Sequence, residues 1–220
     1  FEMSADNETI TISGTGAMDN YYKNDFSVDK PWHAYKSNIT TVVIGDGVTT
    51  IGDAAFYNYN ALTSVSIPTS VTTIGKYAFY GCTGRQNITI PASVTTIDNY
   101  AFFQCSKLES VNFENNSKLT TIGYEAFIYC YKLASFTVPN SVTTIGDWAF
   151  YGCNDLTSFA IGSGVTSIGK GIIAYCTNLT TITVDVANEH FKAVDNILFS
   201  KDDKKIFAYP IGNANTEYTI

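Results

Sequence analysis

The sequence predicts a β-rich solenoid, a stack of near-identical units of about 23 residues that share one elongated core. Three observations predict it. Ala-Phe pairs recur at Ala55–Phe56, Ala78–Phe79, Ala101–Phe102, Ala126–Phe127 and Ala149–Phe150, with steps of 23, 23, 25 and 23; Ile172–Ile173 follows after another 23. Five residues before the second member of each pair stands Ile51, Ile74, Ile97, Ile122, Ile145 or Ile168. Six residues after it stands Leu62, Leu108, Leu133, Leu156 or Leu179, with Arg85 as the one exception.

Within one unit, Leu62, Val65 and Ile67 alternate with Ser64 and Ser66, the period of a short strand buried on one side. Pro68 removes a backbone donor and ends that strand, as Pro91 and Pro139 do in their copies. Val71 and Ile74 flank a Thr pair and predict a second extended piece. Gly75 permits a sharp turn, and Tyr77–Ala78–Phe79 with Cys82 is expected to make about one helical turn leading to the next unit. Units this short cannot bury their own apolar face, so stacking must create the core. A parallel sheet, its strands about 4.8 Å apart, is expected on one face and short helical turns on the other. Glu114–Lys118 makes the third interval two residues longer, and it is expected to bulge as a loop that leaves the stack intact.

The ends depart from the pattern. Residues 1–38 form an expected N-terminal cap, 39–186 the array of six units, and 187–220 a C-terminal β-hairpin unit. In the cap, Thr9–Ile12 alternates as a strand before Gly14 and Gly16, and Pro31–Tyr35 supplies aromatic surface. In the last segment, Asn196–Ser200 and Lys205–Pro210 flank the polar Lys201–Lys204, a hairpin signal. Tyr218–Ile220 has the spacing of a further repeat strand, and position 1 is Phe, so the chain is expected to be part of a longer protein.

Composition narrows the function. Hydrophobic residues make up 45% and charged residues 15% of the 220, which suits extended structure rich in turns. A net charge of −7 argues against a nucleic-acid partner, which needs clustered Lys and Arg. No run is long and apolar enough to be a transmembrane segment.

The pattern Leu-x-x-Val-x-Ile-Pro-x-x-Val-x-x-Ile-Gly-x-x-Ala-Phe-x-x-Cys, carried from Ile39 to about Val184, resembles the BspA-like leucine-rich repeat family. The first cap and the stretch from Val194 to Pro210 also look like flanking units of that family. The resemblance implies a leucine-rich repeat solenoid from a bacterial secreted or surface protein, extracellular and used for adhesion to host or cell-surface proteins. It carries over no ligand-binding residue.

Chemistry is sparse. Cys82, Cys105, Cys130, Cys153 and Cys176 stand three residues after the Phe position, with Tyr59 in that slot of the first copy. Their spacing lacks the clustered pairs of a metal site, and a ladder of small buried side chains, disulfides between neighbouring units and a reactive thiol all remain open. His33 and His190 lie near opposite ends and cannot share a site. Asp46, Asp53, Asp98, Asp147 and Asp155 sit at turns, where Asp bonds backbone. Asp202 and Asp203 belong to the hairpin turn, and no catalytic constellation, metal site or cofactor is expected.

Two faces are candidates for binding. The outward strand positions are Ser64, Ser66, Asn87, Thr89, Ser110, Asn112, Ser135 and Thr137, continuing through Ser158, Ala160, Thr181 and Thr183. An aromatic stripe holds Tyr77, Tyr80, Tyr100, Phe103, Trp148 and Tyr151, which either shield the core or stack on sugars. The expectation is a non-catalytic module that binds a host or cell-surface protein. A carbohydrate-binding accessory domain with a glycan partner, or a structural spacer, are the alternatives.

Overall fold

The computed structural model describes residues 1–21 and 30–212. The strand expected at Tyr218–Ile220 lies outside them. The strands are β1 (Glu2–Met3), β2 (Thr9–Ile12), β3 (Gly16–Ala17), β4 (Thr41–Ile44), β5 (Val48–Ile51), β6 (Ser64–Ser66) and β7 (Thr73–Ile74). There follow β8 (Asn87–Ile90), β9 (Thr96–Ile97), β10 (Ser110–Phe113), β11 (Thr121–Ile122), β12 (Ser135–Thr137) and β13 (Thr144–Ile145). The last are β14 (Ser158–Ile161), β15 (Ser167–Ile168), β16 (Thr181–Val184), β17 (Phe191–Val194), β18 (Ile197–Ser200) and β19 (Ile206–Ala208).

The short second strands form one unbroken parallel sheet, ordered β15-β13-β11-β9-β7-β5-β3. Its register sets Ile74 against Ile97, Ile97 against Ile122 and Ile122 against Ile145, so the two-residue insertion leaves this ladder in step. Thr side chains reinforce it. The hydroxyls of Thr72, Thr95, Thr120, Thr143 and Thr166 each donate to the carbonyl of the corresponding Thr one rung back, at 3.0–3.2 Å.

The first strands behave differently. They form three separate sheets, ordered β1-β2-β4-β6, β10-β8 and β12-β14-β16. One break falls between β6 and β8, in the rung where Arg85 stands in the Leu position. The other falls between β10 and β12, beside the insertion. The insertion is exposed as expected and the stack continues past it, but the first-strand sheet is interrupted beside it. Among the described residues one backbone bond, from Ala134 N–H to Glu109 C=O, crosses that second break. Inward-facing Val65, Val111 and Phe113 are only half-buried at the breaks, whereas Phe136, Phe159 and Ile182 are buried in the intact sheet.

The core is the predicted set of ladders. Phe56, Phe79, Phe102, Phe127 and Phe150 are fully buried and stack face to face with centroids 5.1–5.5 Å apart. Leu62, Leu108, Leu133 and Leu156 are likewise inaccessible.

The helical turns expected opposite the sheet are not there. The one helical element among the described residues is a 3-10 turn at His33–Tyr35 in the cap. In every rung the residues two before and two after the Phe position have positive φ. The earlier positions are Ala54, Tyr77, Tyr100, Glu125, Trp148 and Gly171, and the later ones Asn58, Gly81, Gln104, Tyr129, Gly152 and Tyr175. A left-handed residue every fourth position forbids an α-helix. It turns alternate amides out of the rung instead. Tyr77, Phe79 and Gly81 donate their N–H to the carbonyls of Asn99, Ala101 and Phe103 in the next rung at 2.7–3.1 Å. The intervening Ala78, Tyr80 and Cys82 bond back within their own rung. The third face is therefore a ladder of turns, hydrogen-bonded from rung to rung.

At the start, Trp32 fills the place of a preceding Phe and stacks on Phe56. At the end, β17, β18 and β19 form an antiparallel sheet, with β18 and β19 paired across Lys201–Lys204. Buried Asn188 joins that sheet to the stack. Its Nδ2 donates to Gly162 and Val165 carbonyls, and its Oδ1 accepts from His190 and Phe191 N–H.

Candidate binding faces

The period-two alternation places the strand-face residues as drawn from the sequence. Ser64, Ser66, Asn87, Thr89, Asn112, Ser135, Thr137, Thr181 and Thr183 are exposed, and Ser110, Ser158 and Ala160 are half-exposed. The two breaks turn parts of this face into clefts. Ser110, Asn112, Ser135 and Thr137 line an open cleft of about 620 Å³ between β10 and β12, with Glu114 and Asn116 of the insertion on its rim. Ser64, Asn87 and Thr89 line a second, of about 480 Å³, between β6 and β8. The Ser141 hydroxyl, in the wall of the larger cleft, is buried without a partner. The equivalent hydroxyls of Ser70 and Ser93 donate to carbonyls of the preceding rung at 2.8 and 2.7 Å.

The aromatic stripe is mostly engaged with itself. Tyr77 stacks on Tyr100 at 4.6 Å and Tyr80 on Phe103 at 4.5 Å, so these faces are covered by neighbouring rings. Beyond the insertion the stacking fails: Trp148 meets Tyr124 edge-on and Tyr151 meets Tyr129 edge-on. Trp148 is 37% exposed and Tyr175, absent from the predicted stripe, 64%. Trp148 and Tyr175 both stand at left-handed positions, which the residue pattern alone does not reveal.

All five cysteines are buried and free. Each Sγ donates to the Phe carbonyl of the preceding rung, as Cys82 does to Phe56 and Cys105 to Phe79, both at 3.1 Å. Burial pushes the Cys82 thiol up to about 12 and also raises Cys105, Cys130 and Cys153. Such thiols are poor nucleophiles and fit the ladder reading. Of the turn carboxylates, Asp53 and Asp147 accept the N–H of Lys76 and Lys170 in the next rung at 2.8 Å and Asp98 accepts that of Asn99 at 2.6 Å, whereas Asp155 pairs with Lys132. His33 and His190 are exposed at opposite ends. Among the described residues no group of three or more His, Cys, Asp or Glu side chains is placed to hold a metal.

The residue that pattern-reading underrated is Arg85. Standing in the Leu ladder, it is only 2% exposed, and its Nε and Nη1 have no hydrogen-bond partner.

The model of the BspA type leucine-rich repeat region, in six copies, matches residues 33–130 and 114–211. The chain belongs to that family. No curated protein matches this BspA-type array. Among solved structures it resembles a leucine-rich cell surface protein of Faecalibacterium prausnitzii, at 33% identity and a TM-score of 0.76 over 96% of the chain. It spans 59% of that protein. It also resembles a leucine-rich repeat protein of Eubacterium ventriosum, at 28% identity and a TM-score of 0.61, covering 96% of this chain and 49% of that one. The leucine-rich repeat protein of T. pallidum is 31% identical with a TM-score of 0.63, over 82% of this chain and 77% of that one. The BspA-type array is thus a repeat scaffold of a kind found in bacterial surface proteins. No helix among its described residues is long and apolar enough to cross a membrane.

Proposed function

We propose that this array is a non-catalytic recognition module of a bacterial surface or secreted protein, and that it binds a host or cell-surface protein through its strand face. The observation that carries this reading is the interrupted first sheet. An intact Ser/Thr/Asn ladder is an ordinary solvated surface, whereas two clefts opened in it give a partner concave, partly apolar sites. The likeness to the F. prausnitzii cell surface protein supports an extracellular setting. The engagement of cysteines and turn carboxylates in backbone bonds supports a role without catalysis. The test is a pull-down of extracellular-matrix and serum proteins by the wild-type array and by Ser135→Arg and Thr137→Arg. Captured protein lost from both variants, with unchanged thermal stability, supports the reading. Equal capture by all three proteins sinks it.

A carbohydrate-binding role is favoured by one observation, the exposure of Trp148 and Tyr175 where ring stacking fails. Glycan-array binding that disappears in Trp148→Ala would support it, and an array without signal would remove it. The spacer alternative expects that the isolated array captures nothing while its length still governs the reach of the parent protein.

A further inference from the structure

Arg85 is a buried cation with no counter-ion among the described residues. The three salt bridges among the described residues are Lys132–Asp155, Lys192–Asp203 and Lys204–Asp202, all on the surface. The chain has 20 Asp and Glu against 13 Lys and Arg, yet among the described residues no acid forms an ion pair with Arg85. A guanidinium keeps its proton in proteins, and an unpaired buried charge is strongly unfavourable. The two thiols nearest in charge, Cys82 and Cys105, do not neutralise it. Both donate their proton to Phe carbonyls, and burial holds them in the neutral form. Burial likewise pushes Arg85 down to about 10, with Cys105 and Cys82 opposing, so it is still protonated at neutral pH.

Arg85 forms part of the wall of the cleft between β6 and β8, together with Thr63, Ser64, Asn87, Thr89 and Lys107. These are hydroxyl, amide and ammonium donors, and Lys107 is exposed at the rim. The cleft exists because β6 and β8 do not pair, and that break coincides with the one unit that has Arg where the others have Leu.

We propose that this cleft is a carboxylate-binding site, in which Arg85 supplies the buried positive charge, Lys107 the charge at the mouth, and the strand-face hydroxyls and amide the remaining donors. Arginine presents a planar fork of donors that suits a carboxylate group. The source we assign to the carboxylate is an acidic side chain of a bound protein, and that part alone rests on the proposed role of the strand face.

The test uses the whole 220-residue chain and two probes, sodium acetate and a hexaglutamate peptide, at constant ionic strength. Arg85→Leu restores the residue found in five other units, so it is expected to fold. It should melt higher than wild type in carboxylate-free buffer. Wild type should gain thermal stability with acetate, and Arg85→Leu should not. The peptide should bind wild type and lose about tenfold or more of its affinity in Arg85→Leu, with a smaller loss in Lys107→Ala. Two results overturn the site: no gain in wild type from either probe, or undiminished binding by Arg85→Leu. Acetate binding that is lost in Arg85→Leu without any peptide binding keeps the site and overturns the protein source. Failure of the pull-down with both probes bound leaves the site standing and removes only the broader role.

Discussion

The Trp32 indole lies over Phe56 with centroids 5.9 Å apart and planes 26° from parallel, and its Nε1–H donates to the Ala55 carbonyl at 3.3 Å. It thereby does for the first rung what each Phe and its neighbouring amide do for the rung that follows. Phe1 and Tyr21 pack edge-on against its ring. Trp32→Ala should therefore cost roughly 3–5 kcal/mol, the range for a buried aromatic. Phe102→Ala in mid-array should cost a similar amount. Hydrogen exchange separates the two: the terminal substitution should loosen the first rungs selectively, the central one both sides of the stack. Uniform loosening by Trp32→Ala would count against its role as a plug.

Gln104 occupies a left-handed position, φ 55°, that Gly81 and Gly152 hold in other rungs. Gln104→Gly should stabilise the protein by roughly 0.5–1 kcal/mol, raising Tm by about 2 °C. Gly152→Ala should do the reverse, because its new Cβ would lie 2.7 Å from Tyr129 Cδ1 as well as at positive φ. Thermal melts of the two variants check both signs, and a lower Tm for Gln104→Gly would show that its side chain has a contact worth more than the strain.

Alkaline pH should destabilise the fold. Cys82, Cys105, Cys130 and Cys153 hold their protons in the native state far above the ordinary thiol value of about 9. Above that value the unfolded chain binds fewer protons than the folded one, so stability is full below about pH 9 and falls as pH rises. Each thiol contributes a slope of up to about 1.4 kcal/mol per pH unit. Lys30, lowered to about 8 by burial, acts in the opposite sense, as do Lys36 and Arg85, but these three are outnumbered by the four thiols. Urea midpoints at pH 7.5 and 10 should differ, and Cys130→Ala should reduce the difference. A midpoint independent of pH would mean that the thiols are accessible in the native protein.

Asn188 makes four hydrogen bonds from a buried side chain, two into the solenoid and two into the start of the terminal sheet. Asn188→Leu leaves those backbone groups unpaired and should cost about 3 kcal/mol. Limited proteolysis should then cut first within β17–β19. Unaltered protease resistance would show that apolar packing alone holds that sheet.

The period of the sequence made the ladders and their register readable, since Leu62, Phe79 and Ile97 each repeat at fixed spacing and can be buried only by stacking. Which Ser and Thr face outward was equally readable from alternation. The left-handed turn was not. Ala54, Glu125 and Trp148 carry no signature of positive φ, and only Gly81, Gly152 and Gly171 hinted at it. The clefts were hidden for another reason: strand pairing depends on the neighbouring rung, so a local pattern cannot report that β6 fails to meet β8. Arg85 was visible as an exception, but its lack of an acidic partner among the described residues is a property of the packed core.

The turn ladder also gives the array an electrical direction. In each rung the peptide units joining Tyr77, Phe79 and Gly81 to their predecessors point N–H toward the later rung and C=O toward the earlier one. In ordinary sheets such dipoles alternate and cancel; here they align head to tail, as in a helix, at about 3.5 D each. The negative pole lies at the first rung, where Tyr21 N–H and the Trp32 indole cap the Asp53 and Ala55 carbonyls. Lys30 and Lys36 stand nearby, about 6 Å from the Tyr59 ring. Every added rung lengthens this column, so the two ends of the stack attract charges of opposite sign.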